Sequence, residues 1–365
     1  MKTLTINLAR MNKIKRAARF VLCSVTFKKL VNAGIVVSQM MLGSKRLYGY
    51  PFVIKVEASN RCNLRCEGCY SHDFKNPFPK GEMTLELFKK IVDDIGDYLF
   101  LIKLYVWGEP LLNNDIFDMV SYARKKRIAV AISTNLNTLT PASAKRLVGS
   151  GLNHLIAGID GVTQSAYEKT RIRGDIGRAI KNLGFIINER GARKSRHPFI
   201  EWQYIVTASN EHEALPAKTL AQSLGVDRVS FIPDGRGYAE LSKETMERYA
   251  VLRKRPLKKC YWLWCMSAIQ WQGAVMPCCY LQDSYSFSFG NMAEKGFKHI
   301  WNGPSYQGAR GSFRENGKEG RRKKDIYSAP DAKEFEAFAE AYGGEPARRV
   351  GRATACHMCS YYKLL

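Results

Sequence analysis

The stretch Arg61-Cys62-Asn63-Leu64-Arg65-Cys66-Glu67-Gly68-Cys69-Tyr70 sets three cysteines at C-x3-C-x2-C spacing. Thiolates are soft ligands that suit iron–sulfur clusters and zinc. A 4Fe-4S cluster ordinarily takes four thiolates. This loop offers three, so a cluster held here keeps one iron open to another ligand, which is the arrangement of a reactive cluster. A zinc knuckle or an electron-transfer cluster fits the same spacing, and the three cysteines alone do not choose among them.

A second set of thiols lies far along the chain. Cys260 precedes an aromatic run, Tyr261-Trp262-Leu263-Trp264. Gln272-Gly273 then reads as a hairpin turn between apolar runs, and Val275-Met276-Pro277-Cys278-Cys279 follows. The hairpin is expected to bring Cys260 near Cys278, and the terminal Cys356-His357-Met358-Cys359 completes four thiolates. Such a set suits a closed 4Fe-4S cluster or a structural zinc. Cys265 and Cys279 are read as buried non-ligands, and Cys23 as a small buried apolar residue.

The elements that must position the first loop alternate in type. Strands are expected at residues 52–57, 99–107, 128–133, 154–159, 200–206 and 229–232. Helices are expected from Thr84 as N-cap, from Asp115 to about residue 126, at 141–148, as one long helix at 165–189, and at 213–224. Six strand–helix units imply an α/β fold with a parallel sheet and helices outside. In such folds chemistry gathers at the carboxyl ends of the strands. There the sequence puts Trp107-Gly108-Glu109-Pro110, then Ser133-Thr134-Asn135, then Gly158-Ile159-Asp160-Gly161. Each also reads as an ordinary turn. Gln203, Tyr204 and Ser230 are weaker candidates for a pocket wall.

Taken in this order, the motifs resemble those of the radical S-adenosylmethionine (SAM) superfamily. The resemblance implies a partial (β/α)6 TIM-like barrel, with Cys62, Cys66 and Cys69 holding a 4Fe-4S cluster whose open iron is chelated by SAM. It implies SAM contacts from Gly108 and Glu109, in a G-G-E-like element with Trp107 for the first glycine. Ser133 and Asn135 are implied as contacts too, in a T-N-G-like element with Leu136 for glycine. Tyr70 would flank the adenine, since Gly68 stands where an aromatic residue is usual. Arg61 and Arg65 would compensate cluster charge. The segment from Cys260 resembles SPASM/twitch auxiliary-cluster domains through C-x12-G-x4-C, Pro-Cys-Cys, Gly290-Asn291 and Ile300-Trp301-Asn302. Four well-placed cysteines fit the single-cluster twitch form, with Cys260, Cys278, Cys356 and Cys359 as ligands of a second 4Fe-4S cluster.

The domain reading is an arm at 1–50, a radical SAM core at 51–235, a connector at 236–257 with a helix at 242–252, and a small cysteine-rich auxiliary cluster domain at 258–365. The last contains a basic insert at about 303–355. The insert's segment 310–324 is expected to be a solvated loop or partly disordered, and 331–342 a helix. Residues 1–50 carry ten Lys or Arg and no Asp or Glu, and the whole chain of 365 residues has a formal net charge of +24. Charge of this kind attracts anions without fixing a fold. The arm's apolar spacing fits an amphipathic helix, to lie on an anionic membrane surface, to dock nucleic acid or an acidic peptide, or to pack on the barrel with a solvated basic face.

No run of about 18 apolar residues occurs to span a bilayer. Clustered thiols without a signal peptide imply a reducing, cytoplasmic setting, with peripheral membrane association through the arm left open. The implied partners are a reductant such as flavodoxin or ferredoxin and an anionic substrate, whether peptide, sugar or lipid-linked. The reading is therefore an oxidoreductase- or maturase-type enzyme. A cofactor-pathway cyclase of the same superfamily would end in Gly-Arg-Arg, which this chain does not. Its rival from another class is a non-catalytic iron–sulfur electron carrier or a zinc-dependent nucleic-acid-binding protein.

Overall fold

Strand β1 (Val53–Val56) holds the cysteine loop at its carboxyl end and pairs in parallel on both sides. The computed structural model describes residues 24–66, 68–72, 79–233, 260–279 and 288–319. The arm up to Cys23, the helices expected at 242–252 and 331–342, and Cys356 and Cys359 lie outside these residues.

The chain continues through α2 (Leu85–Ile95), β2 (Leu101–Lys103), α3 (Ile116–Lys125), β3 (Ala129–Thr134), α4 (Pro141–Gly149) and β4 (His154–Gly158), preceded by α1 (Phe27–Leu42). Next come α5 (Gln164–Thr170), α6 (Ile176–Ala192), β5 (Phe199–Val206), α7 (Ala214–Ser223) and β6 (Arg228–Pro233). The described residues end with α8 (Trp262–Cys265), β7 (Met266–Ile269), β8 (Ala274–Met276), β9 (Gly290–Asn291), α9 (Phe297–Trp301) and α10 (Pro304–Glu319). One sheet of nine strands results, in the order β6-β5-β4-β3-β2-β1-β7-β8-β9. β1 to β6 are parallel and in sequence order, as a partial (β/α)6 barrel requires. The expected hairpin forms, with Ala268 opposite Met276, but it joins the barrel sheet directly through the β1–β7 pairing.

Alternation along the strands separates two faces. Ile54, Val56, Ile102, Leu104, Val130 and Ile132 are fully buried in the main core. Lys55, Lys103 and Ser133, at the intervening positions, are half-buried on the opposite, inner face.

Four local expectations are corrected. The strand foreseen at 99–107 is only Leu101–Lys103, because residues 105–109 leave the ladder to form the motif loop, after a last bond from Leu104 N–H to the Ala131 carbonyl at 2.8 Å. The helix foreseen at 165–189 is two helices. Arg173 has φ 70°, a Cβ on Gly174 would lie 2.5 Å from the Tyr167 ring, and Asp175 caps α6 through Arg178 N–H at 2.9 Å. Asp115 precedes α3 but makes no capping bond; its own N–H donates to Asn113 Oδ1 at 2.8 Å.

The fourth concerns the segment expected as a solvated basic loop, which begins inside α10. There Arg310 is fully buried, its guanidinium 4.4 Å from the Trp301 ring centroid, donating to the Leu263 carbonyl at 2.8 Å and the Lys45 carbonyl at 3.0 Å.

α1 is inverted relative to an ordinary surface helix. Its inner face carries three polar side chains beside the fully buried Val36: Lys29 Nζ donates to the Arg127 carbonyl, Asn32 exchanges bonds with the Tyr50 backbone, and Gln39 accepts from the N–H groups of Tyr48 and Gly49. These side chains serve backbone groups that would otherwise be buried unpaired. Its outer face carries Phe27, Leu30, Val31, Ile35, Val37, Met41 and Leu42 exposed, Phe27 by 83%.

Candidate active site

The loop after β1 is fixed at its base by buried amides. Asn60 Nδ2 donates to the Pro79 carbonyl at 2.8 Å, and Asn113 Nδ2 donates to the carbonyls of Ala58 and Met83. Gly108 sits over this base with φ 74°. A Cβ there would lie 2.4 Å from the Ser59 carbonyl oxygen and 2.7 Å from that of Arg61, so only glycine allows the approach. Glu109 N–H donates to the Arg61 carbonyl at 2.7 Å, which clamps the second motif onto the first.

Within the loop Cys69 N–H donates to the Cys66 carbonyl at 3.2 Å. Gly68 has φ 65°, so the turn between the two cysteines needs a glycine where an aromatic residue was looked for. Tyr70 opens a short turn, Tyr70–His72. All three cysteines are half-buried.

Burial pushes the Cys62 thiol up to about 12, and Glu109, Cys66 and Cys69 nearby push the same way. Burial raises the Cys66 thiol too, against the opposing pull of Arg171. Crowded, desolvated thiols ionise when a cation arrives to hold them. The donor set therefore suits an iron cluster, and it leaves one iron without a local cysteine.

Asn135 connects the motifs. Its backbone N–H donates to Glu109 Oε2 at 2.8 Å, and its side-chain amide donates to Asn63 Oδ1 at 2.9 Å and lies 3.9 Å from Cys62 Sγ. Glu109 is 1% exposed, and its other oxygen accepts from Leu111 N–H. Burial raises its carboxyl, partly offset by these N–H donors. A carboxylate offers about four acceptor sites, so room remains for a ligand ammonium. Ser133 faces the barrel interior beside it.

Leu136, which replaces the glycine of the T-N-G-like element, keeps a glycine-like backbone at φ 62° while its side chain is fully buried. Packing offsets the cost of the left-handed conformation, about 1–3 kcal/mol.

The cation beside the cluster loop is one the sequence did not flag. Arg171, at the end of α5, donates from Nε to Asp160 Oδ2 at 2.6 Å and from Nη1 to Cys66 Sγ at 3.8 Å. Arg61, expected in this role, is mostly exposed and lies 3.7 Å from Glu82. Asp160 Oδ1 accepts from Ile205 N–H, so both Asp160 oxygens have partners in the protein. Of the weaker candidates, Gln203 is half-buried on the inner face. Tyr204 is on the outer one, fully buried, with its hydroxyl on the Asn210 carbonyl.

Glu57 was also missed. It is buried just past β1, accepts from Trp271 N–H at 3.4 Å and from the Trp107 backbone, and burial pushes it up to about 7.

Cys260 and Cys278 are half-buried and flank the same end of the β7–β8 hairpin. Cys265 is buried with Sγ 3.7 Å from Met40 Sδ on α1, and Cys279 is buried beside the barrel interior.

Comparison with known proteins agrees with this geometry. Residues 56–192 match the radical SAM superfamily, and residues 260–360 match the iron-sulfur cluster-binding domain called SPASM. A tungsten-containing aldehyde ferredoxin oxidoreductase cofactor-modifying protein of Pyrococcus furiosus is 26% identical over 294 residues, 69% of this chain and 81% of that protein. An AdoMet-dependent heme synthase of Nitratidesulfovibrio vulgaris is 26% identical over 156 residues, 40% of this chain and 42% of that protein, less than half its length. The fold matches Streptococcus suis SuiB, solved with its precursor peptide SuiA, at TM-score 0.59 and 16% identity over 77% of this chain and 71% of that one. The two family matches cover more than half of the chain in the order its motifs take, and the chain belongs to the radical SAM superfamily, as an enzyme that uses SAM, a 4Fe-4S cluster and a SPASM-type auxiliary iron–sulfur domain.

Proposed function

We propose that the chain cleaves SAM reductively at a cluster on Cys62, Cys66 and Cys69 and oxidises a substrate held inside the barrel. The observation that supports this most is Asn135, which touches both Glu109 and Cys62 and so draws the three motif loops into one site. When bound, SAM and its cluster supply the 5'-deoxyadenosyl radical that removes a hydrogen atom from substrate. The protein's part is placement. Glu109 offers a buried carboxylate to the SAM ammonium. Gly108 lets the backbone approach, Ser133 and Asn135 supply polar contacts, and Tyr70 stands at the loop's exit. Arg171 balances negative charge at Cys66. Cys260, Cys278, Cys356 and Cys359 would hold one auxiliary 4Fe-4S cluster, which would supply an acceptor for the substrate's electron, and a flavodoxin or ferredoxin would supply the reducing one. The relatives named above modify a cofactor or make heme, and SuiB binds a precursor peptide, which keeps both metabolites and peptides open as substrates.

The test is 5'-deoxyadenosine released by anaerobically reconstituted protein with SAM and a strong reductant. Product from wild type and none from Cys69→Ala is expected. SAM bound without any cleavage, with or without candidate substrates, would count against the reading.

The outward apolar face of α1 supports a second element. We infer that it rests on an anionic lipid surface, with the basic residues of 1–50 other than the buried Lys29 as electrostatic partner. No helix among the described residues is long and apolar enough to cross a membrane. Phe27→Asp with Met41→Asp should abolish co-sedimentation with phosphatidylserine vesicles; pelleting equal to wild type would refute the contact.

A further inference from the structure

Two lysines face each other inside the barrel. The β1–β2 register pairs Lys55 directly with Lys103. Their neighbours Ile54, Val56, Ile102 and Leu104 are fully buried on the helix side, so alternation turns both ammonium groups to the inner face. Like charges on directly paired strand positions repel. Nothing among the described residues neutralises this pair. Lys55 Nζ lies over the Tyr105 ring, 4.9 Å from its centroid. No acceptor lies within hydrogen-bond distance of Lys103 among the described residues. Glu201, the nearest acid to act on it, is already held by His154 at 3.0 Å and Arg228 at 3.7 Å. Burial lowers the Lys103 ammonium first, and Lys55 lowers it further. Tyr105, two residues on from Lys103, has a phenol raised by burial. All three side chains are half-buried, so they keep some contact with open space.

Their place in the fold gives this meaning. Lys55 is seven positions before Cys62, and Lys103 is six before Glu109, so the pair lies on the wall below the site proposed for SAM. Cys279, adjacent to Cys278, acts on Lys103 and Tyr105 from the other side. The wall thus lies below the first cysteine loop and within reach of the residue beside Cys278, a place suited to a substrate that reacts at one cluster and gives an electron to the other.

We propose that Lys55 and Lys103, with the Tyr105 hydroxyl, form a clamp for an oxyanion, carboxylate or phosphate, on the substrate. This deepens the reading above and rests on it for the word substrate. A paired cation site is costly when empty and is relieved by the anion it binds, so it favours an acidic compound over a neutral sugar or alcohol.

The probes are inorganic phosphate and succinate, added to the reconstituted holoenzyme at fixed pH and matched ionic strength, with chloride as control. Thermal unfolding is expected to rise by about 2–5 °C with the fitting anion and not with chloride. Phosphate or succinate giving the larger rise tells which oxyanion the clamp takes. Lys103→Met and Lys55→Met should lose this rise. Each should unfold at or above the wild-type temperature without anion, because a buried like-charge contact is gone. Lys103→Arg should retain part of the rise. A rise that persists in both Met variants, or an equal rise with chloride, overturns the clamp, as does a Met variant that unfolds lower by the same amount with and without anion. Release of 5'-deoxyadenosine by wild type separates the two ideas. Release without an anion response sinks only the clamp, and an anion response without release sinks only the SAM reading.

Discussion

Burial holds the Glu57 carboxyl near 7 where an exposed one titrates at 4.5. The fold therefore prefers the protonated acid and binds more protons than the unfolded chain between those values. Stability from this residue is fully present below about 4.5 and is lost as pH rises through 7. Glu57→Gln removes the ionisation and keeps an acceptor for Trp271 N–H. Its stability relative to wild type should grow from pH 5 to pH 8, by up to about 3 kcal/mol. Urea titrations at the two pH values measure it, and an equal gap at both would show that Glu57 does not ionise in this range. Residue identity alone was enough to single out Cys62, Glu109 and Asn135, which the fold brings together, because their types and spacing repeat a known pattern. It was not enough for Glu57 or Arg171, whose roles come from neighbours distant in sequence. Lys55 and Lys103 did leave a signal, since each interrupts an otherwise apolar run.

α5 and α6 show how an element can be misread in a way that hides a site residue. Read as one helix, residues 165–189 leave Arg171 on a solvated turn. The break at Arg173, Gly174 and Asp175 sends it inward to Asp160 and Cys66 instead. Gly174-Asp175 is a stop-and-cap pair and was legible as one. The salt bridge it allows is buried, and a buried pair that loses one member leaves a charge uncompensated. Arg171→Ala should lower unfolding free energy by about 3–5 kcal/mol, with Arg171→Lys recovering part. A loss under about 1 kcal/mol in denaturant titration would show that solvent reaches Asp160. The strands were easier to read than the helices because apolar runs with turn residues at both ends mark them directly. Strand lengths were not, since the motif loop takes residues 105–109 out of the ladder by hydrogen bonds that no local pattern reveals.

At the scale of the molecule, the segment after residue 260 is stitched into the N-terminal segment. Trp301 Nε1 donates to the Gly49 carbonyl, Asn302 exchanges two hydrogen bonds with Leu47, and Arg310 holds the Lys45 carbonyl. Burial lowers the Arg310 guanidinium to about 9, so the fold bears a desolvation cost there that two carbonyls and two aromatic rings offset. Arg310→Ala removes the donor to the carbonyls of Leu263 and Lys45 and should cost about 2–3 kcal/mol. A melting temperature within about 1 °C of wild type, where that loss predicts several degrees, would refute this account. The parallel sheet was foreseen from alternating strands and helices. The stitching was not, because polar side chains that bind backbone look like surface residues in sequence, as Lys29, Asn32 and Gln39 do in α1.

The β1–β7 pairing sets an order in time. Val53 pairs with Met266, about 200 residues later, and a ribosome at about 5–20 residues per second needs roughly 10–40 s to bridge that distance. During the interval the strand below the cysteine loop has one open edge, and Glu57 lacks the Trp271 donor that will cover it. Iron delivered to the nascent chain would meet three thiols on an unfinished base. The base of the cysteine loop is therefore complete only once residues 266–271 have joined the sheet.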